Sequence, residues 1–308
     1  MSKTLSTLVG DIYSLMKNRN VAKDVDPEAE IEKFGEAMKT LMRKEFLPNN
    51  NYQNRRGLRL SSIGKPHRVQ WFSFNKWIGE KILPHTYIKF MYGNIIEELL
   101  LFLTRMSGHE VTDEQKLCEV RGVKGHMDCK IDGETVDIKS VSSFGFKKFQ
   151  DGSLAKDDPF GYIDQVKAYA HSEGQRKWSY LAMDKQNGTL CVLTYDLDDT
   201  KNPYYKYYSE DIEERVEAVK KSVKGEERPS QCSMPIPDGK SGNYKLDTIC
   251  SYCQYKNHCY PDLKTYIYSY GPKFLTTVNK TPRVEESVSY KHPTLPTINT
   301  VYSSAVAA

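Results

Sequence analysis

The sequence predicts a mixed α/β (α+β) fold, with helices leading and trailing a strand-rich centre. Three observations carry this. Apolar residues recur at helical spacing up to Ser107, and alternation replaces that spacing from Val111 to Tyr195. Two hairpin signals, Asp132-Gly133 and Asn187-Gly188, sit inside the alternating region. A helical stretch through His171 lies between the two hairpins, so strands and helices interleave rather than segregate.

Residues 1 to about 50 predict helices. Asp26-Pro27-Glu28 opens one with an acidic first turn, and Ile31, Phe34, Met38, Leu41 and Met42 follow at helical spacing. The Asn- and Arg-rich stretch 49–62 reads as an exposed connector. Another helix starts near Pro66 and carries Trp71, Phe72 and Trp77. Pro84 marks a boundary, and Tyr87 to Ser107 reads as an amphipathic helix ending at Gly108. Pro159-Phe160-Gly161 precedes the helix through His171, and a further helix covers about Glu210 to Val223. These signals divide the chain into a helical region with connector (1–83), a core (84–228), a cysteine-bearing segment (229–265) and a polar tail (266–308) that reads as disordered.

Composition excludes several classes. The chain has 308 residues, 39% hydrophobic and 27% charged, which is neither collagen-like nor wholly disordered. Its longest apolar run, Leu99 to Leu103, is too short to span a bilayer, so no membrane partner is expected. The N-terminal stretch has Asp11 within its apolar run and no small-residue cleavage site, and reads as no signal peptide. Seven unevenly placed Cys speak against a secreted disulfide scaffold, and a reducing cytoplasm is the expected compartment. A net charge of +4 permits a nucleic-acid partner without requiring one.

The most informative stretch runs from Gly125 to Lys139. With Asp132-Gly133 as a two-residue turn, Met127 faces Ile138 and Cys129 faces Val136, giving one apolar face. On the other face Asp128 lies opposite Asp137, Lys130 opposite Thr135, and His126 opposite Lys139. Opposed carboxylates repel, and a divalent cation between them reverses that sign. Carboxylate and carbonyl oxygens suit Mg²⁺ or Mn²⁺, and Lys139 is placed to orient a water or stabilise a phosphate. The same face also reads as an ordinary solvated hairpin. Gly93 and Glu97 share a helix face, so Glu97 is a candidate third carboxylate, with Gly93 leaving room for another backbone. Glu98 is read as facing solvent. Gln165 and Tyr169 share a face of the later helix, and Lys139-Ser140-Val141-Ser142-Ser143 leads toward a candidate phosphate-contacting loop.

This order of motifs, Gly-x3-Glu, Gly-x2-Asp, Asp-x-Lys, Gln-x3-Tyr, resembles the PD-(D/E)XK nucleases of the RecB type over about residues 58–262. It is most similar to the iron–sulfur exonucleases related to the CRISPR adaptation nuclease and the AddB nuclease domain, in bacteriophage versions. The resemblance implies a restriction-endonuclease-like core and a metal-dependent DNA exonuclease of phage DNA metabolism or recombination. It implies Glu97, Asp128 and Asp137 as metal ligands with the Ile138 carbonyl assisting, Lys139 as catalytic lysine, and Gln165 and Tyr169 as the DNA-orienting pair. Single-stranded DNA or DNA ends would be the substrate.

Cys250-x2-Cys253-x5-Cys259, with Cys232 upstream, is spaced to hold Zn²⁺ or a [4Fe–4S] cluster. Spacing alone favours zinc, and the resemblance favours the cluster. The family's first cysteine would fall where Pro66 stands, so Cys232 is the natural replacement and His67 the second choice. Cys118, Cys129 and Cys191 read as small core residues. Basic residues of the connectors, Arg68, Lys147 and Lys148 foremost, are candidate phosphate contacts, and Phe144, Phe146, Phe149, Trp71 and Trp77 candidate stacking platforms. The rival readings are a non-catalytic nucleic-acid-binding protein on a nuclease scaffold and a four-cysteine zinc interaction protein.

Overall fold

The structure, a computed structural model, describes residues 3–47, 57–82, 84–269 and 271–287. The chain divides into two units, 1–232 and 233–308. The first unit begins with helices α1 (Leu5–Asn18), α2 (Pro27–Phe46), α3 (His67–Phe74) and α4 (Pro84–Met106). Strands β1 (Val111–Thr112), β2 (Leu117–Val120), β3 (Val123–His126), β4 (Cys129–Ile131) and β5 (Glu134–Val141) follow. Then come α5 (Ser143–Gln150), α6 (Tyr162–Ser172), β6 (Lys177–Asp184), β7 (Leu190–Asp196) and α7 (Ile212–Lys224). Asp26 caps α2 as its sequence suggests, accepting from the amides of Glu28 and Ala29. Trp77 lies beyond the end of α3.

One sheet has the order β1-β4-β5-β6-β7. Only the β5–β6 pair is parallel, and its crossover carries α5 and α6. Asp132 and Gly133 take φ of 51° and 82°, as a type I′ hairpin turn requires. Cys129 pairs with Val136 and Lys130 with Thr135, in the expected register. The ladder then ends. The expected Met127–Ile138, Asp128–Asp137 and His126–Lys139 pairs do not form, because β3 turns away to pair with β2, placing His126 opposite Leu117. The Asn187-Gly188 turn closes the β6–β7 hairpin. The stretch after Lys139, read as a loop, turns instead into α5, with Ser142 accepting from the Gly145 amide.

Helices cover both faces of the sheet. Val136, Ile138 and Leu181 pack with Leu5, Leu8 and Ile12 of α1 and Ile96, Leu100 and Leu101 of α4. Trp178, Tyr180 and Ala182 pack with Phe146 and Phe149 of α5 and Ile163, Val166 and Ala170 of α6. Side chains alternate along a strand, so Asp137, between Val136 and Ile138, is turned toward the α6 face. A third cluster ties Leu60, Ile63, Val120, Val123 and Met127 to Tyr169 of α6 and to the apolar stripe of α7. Among the described residues, no helix is long and apolar enough to cross a membrane.

The second unit contains β8 (Ile236–Pro237), β9 (Tyr244–Lys245), α8 (Thr248–Ser251), α9 (Lys256–Cys259), β10 (Lys264–Tyr268), β11 (Gly271–Thr277) and β12 (Glu286–Ser287). Its strands form one sheet, ordered β12-β10-β11-β9-β8. The expected four-cysteine metal-cluster segment is corrected here. Among the described residues, no group of three or more His, Cys, Asp or Glu side chains could hold a metal ion. Neither [4Fe–4S] nor Zn²⁺ is therefore assigned to Cys232, Cys250, Cys253 and Cys259. Strand pairing, buried Tyr266 and Leu275, and Asn243 supply the order instead. Asn243 accepts from the amides of Asn279 and Lys280 and donates to the Lys280 carbonyl. Of the stretch 266–308 read as a tail, β11 and β12 lie within the described residues, and 288–308 lie outside them.

Candidate active site

Six of the expected site residues meet where the β4–β5 ladder gives out. Asp128 sits one residue before β4, and its Oδ2 accepts from the Ile138 amide at 2.8 Å. Asp137 is almost fully buried; its Oδ1 accepts from Gln165 Nε2 at 3.4 Å, and its Oδ2 is ion-paired with the Lys139 ammonium. That ammonium also lies 4.9 Å from the centre of the Tyr162 ring. Glu97, from α4, accepts from Gln115 Nε2 at 3.2 Å. Ile138 enters through its amide, which Asp128 holds.

Burial and mutual charge shift the titration of these groups. Burial first, then the charges of Asp128 and Asp137, push the Glu97 carboxyl up to about 8. Burial raises Asp137 to about 7, with Lys139 opposing and Asp128 adding to the rise. Asp128 is also raised by burial, against Lys139 and the Ile138 amide. Burial disfavours the Lys139 charge, yet Asp137, Asp128 and Tyr162 outweigh it and hold the lysine protonated.

The donors are hard oxygens of a type that suits a divalent cation. They do not, however, form a cage. The expected Mg²⁺ or Mn²⁺ set of Glu97, Asp128 and Asp137 is corrected with the cysteine cluster, since no three-ligand group occurs among the described residues. The physical reason is local. Each carboxylate already has a donor on it: Gln115 on Glu97, the Ile138 amide on Asp128, Lys139 and Gln165 on Asp137.

Close packing fixes the helix that carries Gln165 and Tyr169. Gly161, at φ 76°, precedes α6, and Asp158 accepts from the amides of Gly161 at 2.9 Å and Ile163 at 2.8 Å. A Cβ on Gly64 would lie 2.3 Å from the Gly161 carbonyl oxygen, and one on Gly161 would lie 2.3 Å from the Gly64 carbonyl carbon. Tyr169 is buried against Gly125, where a Cβ would come within 3.0 Å of its ring. Gly93 is different. Its nearest neighbour to an added Cβ is Ser140 Oγ at 3.8 Å, so no close backbone approach depends on it. Glu98 is half-buried rather than solvent-facing, and burial together with Glu114 raises its pKa.

The other candidates are dispersed. Arg68 donates to the Pro229 carbonyl at 2.8 Å, Lys148 pairs with Asp157 at 2.6 Å, and Lys147 is exposed. Phe146, Phe149 and Trp71 are buried, which removes them as stacking platforms, while Phe144 is exposed. Sequence reasoning missed Gln115, Tyr162 and Asp158. An Asp before Pro ahead of a helix was a readable signal for Asp158. Gln115 and Tyr162 carried none, being brought in by tertiary packing alone.

By sequence, the chain matches no family model and no curated protein. Among solved structures it is distantly similar to SSO0001, at TM-score 0.36 and 16% identity over 73% of this chain and 94% of that one. It is also distantly similar to an alkaline exonuclease, LHK-Exo, from Laribacter hongkongensis, at TM-score 0.27 and 14% identity over 53% of this chain and 91% of that one. The same exonuclease in complex with dAMP gives TM-score 0.30 and 12% identity, over 53% and 92%. The functional reading of this chain rests on its own residues.

Proposed function

We propose that this chain is a DNA nuclease of the PD-(D/E)XK type, acting on single-stranded DNA or DNA ends as an exonuclease. The carrying observation is convergence. Carboxylates from the segment before β4, from β5 and from α4 meet a protonated lysine of β5 and an amide of α6 in one half-buried cluster. Lys139 would donate to a phosphate oxygen or hold the attacking water, and Gln165 would orient Asp137, while Tyr169, buried against Gly125, backs α6 and does not reach a DNA strand.

A second reading, binding without cleavage, is favoured by one observation: the Lys139 ammonium already sits on Asp137. The test uses end-labelled single- and double-stranded DNA with Mg²⁺, Mn²⁺ or EDTA, on wild type and Lys139→Ala. Cation-dependent cleavage lost by at least about 100-fold in the variant supports the nuclease, a loss in the usual range for one acid–base group. A folded wild type that binds but never cuts moves the reading to the second.

A further inference from the structure

A groove of about 760 Å³ lies beside the carboxylate cluster, and its lining holds cations and apolar surface but no carboxylate. Lys44 of α2, Arg59 and Lys124 supply the charge, and Leu58 and Leu117 the apolar surface. Several lysines elsewhere on this unit are neutralised. Lys116 and Lys130 share Glu173 at 2.7 and 2.6 Å, and Lys177 takes Glu134 at 2.7 Å. In the groove, Lys44 and Arg59 form no ion pair among the described residues. Lys124 has only a loose 3.6 Å contact to the exposed Glu119. Leu117 is 51% exposed, on a strand whose other face is buried.

The groove adjoins the carboxylates through its own lining. Gln115 lines it and donates to Glu97; Gly125 lines it and backs the Tyr169 ring; His126 lines it and stands two residues before Asp128.

Unpaired or loosely paired cations beside exposed Leu117 and half-buried Leu58 suit a ligand that alternates charge with flat apolar faces. A simple polyanion would leave the leucines unused, and a duplex keeps its bases stacked inside. A single polynucleotide strand offers both, phosphates to the cations and unpaired bases to the apolar floor. We infer that this groove is the track that leads one polynucleotide strand to Asp128 and Asp137. The outcome at its end rests on the nuclease reading, whereas the binding does not.

The test measures anisotropy of a fluorescein-labelled 20-nucleotide strand on the full chain in EDTA, across a salt series. Lys44→Ala/Arg59→Ala/Lys124→Ala is compared with a charge-matched control at three exposed lysines, Lys17→Ala/Lys201→Ala/Lys221→Ala. Removing three phosphate contacts lowers the slope of log K against log salt by about 2, at roughly 0.7 per contact. Leu117→Asp is expected to erase the preference for single strand over duplex. Should the triple variant not fold, each single substitution is read instead, with a slope change of about 0.7. An unchanged slope, an equal drop in the control, or wild-type binding to duplex as tight as to single strand each overturns the track. Binding with these signatures but without cleavage in Mg²⁺ or Mn²⁺ supports the track and removes the nuclease reading. Cleavage that needs Lys139, with an unchanged slope, does the reverse.

Discussion

Replacing Gly161 by Ala tests the packing that seats α6, and its cost can be worked from two separate contributions. At φ 76° an L-residue is strained by about 1–2 kcal/mol. The new Cβ would also stand 2.3 Å from the Gly64 carbonyl carbon and 2.6 Å from the Lys65 amide nitrogen. Both are backbone atoms, so no rotamer change relieves the clash, and overpacking of this kind adds about 1–3 kcal/mol. The expected loss is therefore about 2–5 kcal/mol, a large part of the stability of an ordinary domain. Gly174→Ala serves as the internal reference, because Gly174 has φ 69° but nothing within 4 Å of an added Cβ. Gly64→Ala isolates the other contribution, meeting the Gly161 oxygen at 2.3 Å. Guanidinium unfolding of the full chain, followed by tryptophan fluorescence, reports on the first unit, since Trp71, Trp77 and Trp178 all lie in it. Equal midpoint shifts for Gly161→Ala and Gly174→Ala, with Gly64→Ala near wild type, would refute the close approach of these two backbones.

Three further outcomes follow from other parts of the fold. Asp211 accepts from the Glu213 amide at 2.7 Å and the Glu214 amide at 3.2 Å at the start of α7, so Asp211→Ala is expected to cost about 1 kcal/mol in denaturant unfolding, and Asp211→Asn much less. Leu60 is fully buried between Gly125 and the α7 stripe, and Leu60→Ala should lose about 2–5 kcal/mol by the same measurement. Burial raises the Glu173 pKa, but hydrogen bonds from Lys116 and Lys130 win and hold it below its ordinary 4.5. The folded state therefore binds fewer protons than the unfolded one near pH 4. The stabilisation is present above 4.5 and fades as pH falls through the folded pKa. Glu173→Gln should lower stability by about 1–2 kcal/mol at pH 7, and a gap between variant and wild type that persists unchanged at pH 3 counts against this pairing.

Much of this architecture was legible because local chemistry and tertiary context agreed. The Asp132-Gly133 turn set its own register, since only that pairing buries Cys129 and Val136 together, and the structure has both buried. Asp26 and Pro27 announced α2 by the same agreement. What the hairpin arithmetic could not foresee is where pairing stops. Nothing in residues 126–128 says that β3 will prefer Leu117 to Lys139, because that choice depends on a partner strand nine residues upstream. The cysteines misled for a related reason. A ligand-like spacing is a statement about reach along the chain, whereas a metal site needs convergence in space, and the second unit is ordered by strand pairing and Asn243 instead.

The broken ladder also explains how so many carboxylates share one small volume. Had the regular pairing continued, Asp128 and Asp137 would face each other directly with only their own repulsion between them. In the structure Asp128 leaves the strand path and takes the Ile138 amide that a ladder carbonyl would have taken, so a backbone donor is satisfied and a negative charge is partly offset in one contact. Asp137 keeps its strand position and is offset by Lys139 two residues on, while Gln165 approaches from α6. The lysine on the same strand face is therefore the condition for burying Asp137 at all, since a lone carboxylate there would be held neutral by desolvation. Lys139→Ala thus removes two things together, a candidate catalytic ammonium and the partner of a buried acid. Lys139→Arg separates them, because it keeps the positive charge beside Asp137 while replacing a compact ammonium by a planar fork. An arginine variant that folds like wild type and shows no cleavage would assign Lys139 a chemical role beyond pairing. One that restores cleavage would reduce it to a counter-ion.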